Sequence, residues 1–172
     1  MGKIGIFFGS DEGNTESIAH RIAERLSAYE VEIHDIAEAT QLDFSRYAII
    51  LLGISTWDFG QIQSDWEEFW PDAEQMRYDN QWVGLFGLGD QFGYGDFFVD
   101  AMGVLHDVIK ARGAKIIGHW PTEGYEFDAS KALTPDGNHF VGLAIDEDQQ
   151  AELSDNRIDQ WCAQLVEEIK AR

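Results

Sequence analysis

Short, almost unbroken apolar segments that alternate with longer amphipathic segments are the feature that most constrains this fold. The apolar segments are "KIGIFF" (3–8), "YAIILLGI" (47–54), "WVGLFGL" (82–88) and "AKIIGHW" (114–120). Runs of this length and continuity are typical of strands in a parallel sheet that helices cover on both faces. The segment "EVEIHDI" (30–36) alternates apolar and polar residues instead, which predicts an edge strand.

The segments between the predicted strands show the apolar spacing of amphipathic helices. One stripe runs over residues 18–26, a second over 104–109 before Gly113, and a third over 158–169. Gly113 is placed to end its helix, and Ser154 is the predicted N-cap of the last helix. The alternation of strands and helices predicts an α/β fold in three layers, with a parallel sheet in the middle and right-handed crossovers.

One segment interrupts this alternation. Residues 121–146 separate the fifth predicted strand from another extended segment, "HFVGLAI" (139–145), and they contain the turn signal "TPDGN". We therefore predict that an insertion at about residues 121–140 splits or extends the last strand. A length of 172 residues suits one domain, so residues 1–172 are predicted to form a single unit.

The loops that come after the strands are the candidate binding segments. In doubly wound folds a ligand binds beyond the carboxyl ends of the strands, which selects the loops at 9–15, 54–62 and 88–97. The first, "GSDEGNT", lacks both the lysine of a triphosphate-binding loop and the glycine spacing of a dinucleotide fingerprint. It does offer two hydroxyls, a flexible glycine and the N–H groups of a helix N-terminus, which can hold a phosphate without a cationic side chain. Taken alone, the loop is also compatible with an ordinary turn; as a binding loop it predicts a terminal monophosphate.

Each of the two other loops places an aromatic residue at the mouth of the same crevice. Trp57 lies in "STWDFGQIQSDW" (55–66), and Tyr94 lies in "GLGDQFGYGDFF" (87–98). Stacking contributes about 0.5–1.5 kcal/mol for an aromatic pair beyond the burial of its surface. We therefore expect a planar aromatic ligand between Trp57 and Tyr94. Glycines of both loops would let the backbone approach the edge of that ligand: Gly60, Gly87, Gly89, Gly93 and Gly95.

Taken together, these segments resemble the flavodoxin family, in its long-chain, bacterial class, over essentially the whole chain. Residues 10–15 are similar to the family's (T/S)-x-T-G-x-T phosphate motif, and "TWDFG" (56–60) and "GDQFGYGD" (89–96) resemble its two isoalloxazine loops. The segments "PTEGYEF", "SKAL" and "FVGLAIDED" resemble the long-chain insertion and the segment after it. The resemblance implies a flavodoxin-like three-layer α/β/α sandwich with a five-stranded parallel sheet whose last strand is interrupted by the insertion.

The resemblance also implies FMN as a tightly but non-covalently bound cofactor. Residues 10–15 would hold its phosphate, Trp57 and Tyr94 would flank its ring, and Asp146 would reach the ribityl chain through water. Backbone at Asp58–Phe59 would lie near flavin N5, and backbone at 88–90 would meet the pyrimidine edge. The implied cofactor-binding residues are Ser10, Asp11, Glu12, Gly13, Asn14, Thr15, Ser55, Thr56, Trp57, Asp58, Phe59, Gly60, Leu88, Gly89, Asp90, Tyr94 and Asp146. The resemblance implies neither a catalytic residue nor a metal ligand.

One residue departs from the family's pattern, because Glu12 stands where the family usually has threonine. A carboxylate directed at a phosphate dianion is repelled by it, and the hydrogen-bond donor of the threonine hydroxyl is lost. We expect the side chain of Glu12 to turn outward, so that only its backbone N–H serves the ligand.

The implied function is low-potential one-electron transfer, in which FMN shuttles between semiquinone and hydroquinone and donates electrons to redox enzymes. An apolar ring site with Asp58 and Asp90 nearby should disfavour the negatively charged hydroquinone, which lowers that reduction potential. A backbone carbonyl that turns toward N5–H, beside Gly60, should stabilise the neutral semiquinone.

The five histidines lack the spacing of a metal site, and no serine or cysteine is paired with a positioned base. The chain is therefore predicted to be an electron carrier and not an enzyme.

The net charge of −20 predicts basic protein partners and disfavours nucleic acid and anionic membranes, although an acidic surface can also serve solubility alone. The resemblance implies a flavin-dependent NADPH reductase as electron donor and iron–sulfur or cobalamin enzymes as acceptors. The acids Asp65, Glu67 and Glu68 are candidates for docking such partners.

The longest apolar run, 47–54, is too short to span a membrane, and a single cysteine, Cys162, fits a reducing cytoplasm. We expect a cytoplasmic protein, and the family implies a monomer.

Two other functions are compatible with this topology. A flavodoxin-like NAD(P)H:quinone reductase needs space above the flavin for a second substrate, which Tyr94 on the ring would block. A phospho-acceptor receiver needs an aspartate at the end of the third strand, where "LLGISTWD" offers only Asp58, past the strand. A protein without flavin absorbance would favour the receiver.

Overall fold

The computed structural model describes residues 2–172, which form strands and helices in regular alternation. The strands are β1 (Lys3–Phe8), β2 (Glu30–Asp35), β3 (Ile49–Trp57), β4 (Gln61–Ile62), β5 (Trp82–Leu88), β6 (Lys115–Ile117), β7 (Trp120–Pro121), β8 (His139–Phe140) and β9 (Leu143–Ile145). The helices are α1 (Asn14–Arg25), α2 (Gln41–Phe44), α3 (Ser64–Gln75), α4 (Asp100–Ala111) and α5 (Ala151–Lys170). Two 3₁₀ turns, Ile36–Glu38 and Gly95–Phe97, lie in the connections.

The main sheet has the strand order β2-β1-β3-β5-β6, and every neighbouring pair on this path is parallel. β9 also pairs with β5 in parallel, whereas the short β4 pairs with the end of β3 in antiparallel. The predicted parallel sheet is therefore confirmed. β2 lies at one edge of the sheet, as its alternating sequence indicated.

The last position in the sheet is shared by two short strands. β6 pairs with residues 82–84 of β5, and β9 pairs with residues 86–88 of the same strand. Residues 118–142 leave the sheet edge after β6 and return to it at β9, and they contain the antiparallel pair β7 and β8. The predicted interruption of the last strand is confirmed.

The predicted strand over 114–120 is too long, because β6 ends at Ile117. Gly118 turns the chain with a φ of 80°, and its carbonyl accepts a hydrogen bond of 2.8 Å from Trp161 Nε1. Trp120 therefore belongs to β7, which pairs with β8. The partner that holds this turn lies 43 residues further along the chain, so the apolar run could not indicate where the strand stops.

Helices cover both faces of the sheet, which produces the three predicted layers. A Cβ atom on Gly84 would meet Trp161 of α5 at 3.6 Å, and one on Gly87 would meet Met102 of α4 at 2.9 Å. Successive residues of a strand point to opposite faces, so positions 84 and 87 face opposite ways and α4 and α5 lie on opposite faces. α1 packs beside α5, and α3 packs beside α4.

The helix ends agree with the sequence at one position and disagree at another. Gly113 comes after α4 with a φ of 99°, as expected of a glycine that ends a helix. Ser154 is not the N-cap of the last helix, because α5 begins at Ala151 and Ser154 is buried inside it. The Ser154 hydroxyl donates a hydrogen bond of 2.5 Å to Glu147 instead.

Among residues 2–172, no helix has both the length and the apolar character needed to cross a membrane.

We expect Gly103→Ala to destabilise the protein, although alanine is about 1 kcal/mol more favourable than glycine inside a helix. A Cβ atom on Gly103 would overlap the backbone of Lys131, which belongs to the segment 118–142 packed on α4. Overpacking of this kind costs about 1–3 kcal/mol, which exceeds the gain in helix propensity. Urea unfolding of the protein without ligand measures the change.

The control for Gly103→Ala is Asp107→Ala, at an exposed position of the same helix. Its free energy of unfolding should stay within about 0.5 kcal/mol of the wild type. A Gly103→Ala variant at least as stable as the wild type would show that the segment moves away without cost.

Candidate functional site

A cavity lies at the carboxyl edge of the sheet, where the three loops selected from the sequence meet. It is lined by the predicted residues Ser10, Asp11, Glu12, Asn14, Thr15, Ser55, Thr56, Trp57, Asp58, Leu88, Gly89, Asp90 and Tyr94. Three further residues line it: Phe97, Glu147 and Asp148. Four predicted residues are close in sequence to the lining but are not part of it: Gly13, Phe59, Gly60 and Asp146.

The first loop leads directly into α1. Gly13 has a φ of 91°, which favours glycine, and its N–H donates a hydrogen bond of 2.8 Å to Ser10 Oγ. α1 begins at Asn14, so the N–H groups of its first turn have no acceptor within the helix. Asn14 and the buried Thr15 line the cavity at this end. The loop therefore offers an anion a helix N-terminus with hydroxyl groups beside it.

The two acids of this loop are placed differently. Asp11 Oδ1 accepts hydrogen bonds from Gln63 Nε2 at 2.9 Å and from Ser64 Oγ at 3.1 Å, so this carboxylate is held at the start of α3. Gln63 is wholly buried, and its Oε1 accepts a hydrogen bond of 3.2 Å from Trp66 N. Glu12 is exposed and lines the cavity. The sequence did not single out Gln63, because its contact with the loop exists only in the folded chain.

The predicted aromatic pair, Trp57 and Tyr94, lies at the same cavity. Trp57 is half-buried, and its Nε1 donates a hydrogen bond of 3.0 Å to Ser55 Oγ, which orients the indole. Tyr94 is 41% exposed and lines the cavity, so its ring has surface that a ligand could cover. Phe59 is 73% exposed and packs edge-on against Tyr94 and Phe97, with centroid distances of 6.2 Å and 5.8 Å. Phe59 thus contacts two lining side chains from outside the cavity, while most of its own surface is exposed.

The turn after Trp57 has two residues with positive φ. The strand end at 56–57 pairs with β4, so residues 58–60 form a short hairpin loop. Asp58 has a φ of 46° and Gly60 has a φ of 89°. Positive φ is costly for a residue other than glycine, so the loop holds Asp58 in a strained conformation. A Cβ atom on Gly60 would lie 3.0 Å from Asp100 Oδ2, so the turn also sits closely on α4.

Asp90 organises the loop that carries Tyr94. Its Oδ1 accepts hydrogen bonds from Phe92 N at 3.0 Å, Gly93 N at 2.8 Å and Gln149 Nε2 at 3.0 Å. Burial by itself would raise the pKa of Asp90, but the bonds from Gly93, Gln149 and Phe92 outweigh it and hold that pKa below its usual value. Asp90 therefore carries a full negative charge at neutral pH at the edge of the cavity.

Asp146 is wholly buried and lies behind the cavity lining. Its Oδ2 accepts from the backbone N and the Nε2 of Gln91, at 3.0 Å and 2.9 Å. Its Oδ1 accepts from Asp148 N at 3.1 Å and from Gln149 N at 2.9 Å. This carboxylate therefore ties the turn after β9 to the loop after β5, and its neighbours Glu147 and Asp148 line the cavity in its place.

Acidic residues gather on the side of the cavity formed by the turn after β9. Partial burial raises the pKa of Asp148, and so do the negative charges of Asp90, Asp146, Glu12 and Glu147. The rule that selected the other loops would also have selected this turn, since it comes after a strand at the carboxyl edge. The sequence indicated only Asp146 of this turn, whereas the structure adds Glu147 and Asp148 to the lining.

The chain is similar to known proteins over nearly its whole length. The family model described as Flavodoxin matches residues 6–161. The chain is 50% identical over 169 residues to a flavodoxin of Klebsiella pneumoniae and to flavodoxin 1 of Escherichia coli strain K12, and each match covers 98% of this chain and 96% of the relative. The solved structure of Fusobacterium nucleatum flavodoxin bound to flavin mononucleotide is similar, with a TM-score of 0.89 and 26% identity over 98% of this chain and 99% of that chain.

We expect Asp148→Asn to stabilise the protein at neutral pH when no ligand is bound. Because the pKa of Asp148 is raised in the folded protein, folding penalises its ionised form. The penalty is fully present above the folded-state pKa and disappears as the pH falls toward the usual aspartate value near 3.8. Asp148 is largely exposed, so the gain should be only about 0.2–1 kcal/mol.

Thermal unfolding at neutral pH and near pH 4 measures this gain and its loss. The control is Glu152→Gln in the first turn of α5, where a negative charge is favourable to the helix dipole, so neutralisation should lower stability. A destabilised Asp148→Asn variant at neutral pH would show that the charge of Asp148 is not opposed by its neighbours.

Proposed function

The chain belongs to the flavodoxin family, and on this basis we propose that it is an electron carrier that binds FMN non-covalently in the cavity described above. FMN supplies reversible one-electron chemistry at low potential, whereas the protein supplies binding, orientation and electrostatic environment. The observation that carries this proposal is the convergence of a helix N-terminus and two aromatic side chains on one cavity. The chain acts as a carrier to redox partners and not as an enzyme with a substrate of its own.

The two ends of the cavity suit the two ends of FMN. The N–H groups at the start of α1, with Ser10 and Thr15, would hold the phosphate, and among the described residues that line the cavity none is a lysine or arginine. Trp57 and Tyr94 would enclose the ring, with backbone at 88–90 along its polar edge. Gly13, Phe59, Gly60 and Asp146 would act without lining the cavity: the first three belong to loops that form it, and Asp146 anchors the turn after β9.

Negative charge near the ring would lower the reduction potential. Asp58 and Asp90 line the cavity, and the pKa of Asp90 is held below its usual value, so Asp90 stays ionised. A fixed negative charge opposes the addition of further negative charge to a nearby group. The strained turn at 58–60 provides a backbone segment with glycine freedom beside that ring.

The finer points of the function are proposals of the same kind. Residues 1–172 form one flavodoxin-like domain with an insertion at about 121–140; the pairing of both β6 and β9 with β5 supports this. A flavin-dependent NADPH reductase donates electrons, and iron–sulfur or cobalamin enzymes accept them through basic surfaces; the net charge of −20 supports such docking. The protein is a cytoplasmic monomer, and the buried free thiol of Cys162 is consistent with a reducing compartment.

Stepwise anaerobic reduction with dithionite, monitored by visible absorbance of the FMN-loaded protein, tests the carrier function. Two separated one-electron steps, each with its own spectrum, are expected. A single two-electron step would contradict the carrier and favour a flavodoxin-like NAD(P)H:quinone reductase. Purified protein that neither contains nor takes up FMN would contradict the cofactor itself.

We expect Glu12→Thr to change the dissociation constant of FMN by less than about fivefold, because an exposed charge pair is worth about 0–1 kcal/mol. Glu12 is exposed, so water and salt screen its repulsion of the phosphate. Fluorescence titration with FMN at low and high salt measures the effect. Riboflavin, which lacks the phosphate, is the control ligand, and Thr15→Val is the control variant that should weaken FMN binding.

A gain in FMN affinity of about tenfold or more in Glu12→Thr, lost at high salt, would contradict this expectation. It would mean that the carboxylate of Glu12 points at the phosphate.

A further inference from the structure

Gln91 is a buried polar residue beside the cavity whose role the cofactor site leaves unexplained. It is 2% exposed and does not line the cavity, yet it comes directly after the lining residue Asp90 and precedes Tyr94 in the same loop. Burial of a primary amide is unfavourable unless its donors and acceptor find partners. The partners of Gln91 therefore indicate what this position contributes.

The side-chain amide of Gln91 joins three separate segments of the chain. Its Nε2 donates to Asp146 Oδ2 at 2.9 Å and to Gln150 Oε1 at 2.7 Å, and its Oε1 accepts from Glu126 N at 2.5 Å. Both donors meet acceptors and the acceptor meets a donor, so only one orientation of the amide satisfies all three contacts. A flipped amide would place its carbonyl oxygen against the carboxylate of Asp146.

The segment that Gln91 reaches through Glu126 also contacts the C-terminal end of the loop 89–97. The carbonyl of Gly95 accepts from Asp128 N at 2.9 Å and from Ala129 N at 3.0 Å, and Phe98 N donates to Ala129 O at 3.2 Å. The ring of Phe98, which is wholly buried, stacks on Phe127 with a centroid distance of 5.5 Å. Residues 126–129 therefore pack against the loop through Gln91, Gly95 and Phe98, none of which is among the residues that line the cavity.

We infer that Gln91 is a positioning residue that holds the loop 89–97 in its ligand-binding shape by fastening it to the segment 118–142 and to the turn after β9. This inference rests on the proposed binding of FMN. Loss of the amide would leave the N–H of Glu126 without its acceptor and would remove a donor from the buried Asp146 carboxylate. Such unsatisfied buried groups are costly, so the loop would leave this arrangement and carry Asp90 and Tyr94 with it.

A loss of stability alone would not establish this role, so the test needs a matched glutamine elsewhere. Gln81 is half-buried, and its Nε2 donates to Phe44 O at 2.8 Å and to Tyr47 O at 2.9 Å. These contacts lie where β3 and β5 begin, at the end of the sheet opposite the cavity. Gln81→Met therefore removes two side-chain hydrogen bonds of a glutamine without touching the loop.

The experiment compares Gln91→Met with Gln81→Met by fluorescence titration with FMN and with riboflavin. We expect Gln91→Met to raise the dissociation constants of both ligands by about tenfold, because the loop serves the ring that they share. Gln81→Met should change neither by more than about twofold. In the ligand-free protein, hydrogen exchange at the amides of Gly93 and Tyr94 should be faster in Gln91→Met than in the wild type or in Gln81→Met.

If Gln91→Met does not fold, Gln150→Ala tests the positioning role of Gln91 instead. Gln150 is half-buried at the start of α5 and shares one bond with Gln91, so its loss should raise both dissociation constants by about two- to fivefold. Unchanged dissociation constants and exchange rates in the variants that fold would overturn the inference and leave the proposed function intact. Wild-type protein that binds neither flavin would overturn the proposed function instead.

Discussion

Parallel pairing of β1, β3 and β5 is the interaction on which the rest of this structure depends. Parallel strands end at the same edge of a sheet, so three loops that are far apart in sequence meet at one place. That pairing brings together the N-terminus of α1, the strained turn at 58–60 and the loop around Asp90. The position of the cavity therefore follows from the parallel direction of the strands, and the side chains of the loops form its lining.

The segment 118–142 is part of the same construction. It leaves and rejoins the edge of β5, and within it the backbone of residues 126–129 packs against the C-terminal end of the loop 89–97. The buried carboxylate of Asp146 accepts hydrogen bonds from Gln91 and so connects the turn after β9 to the loop after β5. A buried polar network of this kind tolerates little displacement, because each lost bond leaves another group unsatisfied. The shape of the cavity therefore depends on this buried network as well as on the residues that line the cavity.

The charge of the site opposes its own cofactor, and this opposition is consistent with the function. Asp58, Asp90 and Asp148 line a cavity proposed to hold a phosphate ester, without a lysine or arginine in the lining. A helix N-terminus can still bind the phosphate, since its N–H groups contribute partial positive charge without a cationic side chain. Negative charge at the cavity would disfavour further negative charge on a flavin ring bound there, which would suit a donor of electrons at low potential.

The sequence by itself determined the parallel sheet, the edge strand, the interrupted last strand and the loops that carry Trp57 and Tyr94. These features arise from apolar periodicity and from glycine-rich turns, which are local properties of the chain. Only the tertiary structure decided that β6 ends at Ile117, that Ser154 is buried within α5, and that Asp146 lies behind the cavity while Glu147 and Asp148 line it. The reason is that Gly118 is held by Trp161, and Asp146 by Gln91 55 residues away. A local sequence pattern can indicate that a side chain is buried. The hydrogen-bond partner of a buried polar group, however, lies on a distant segment that only folding brings close.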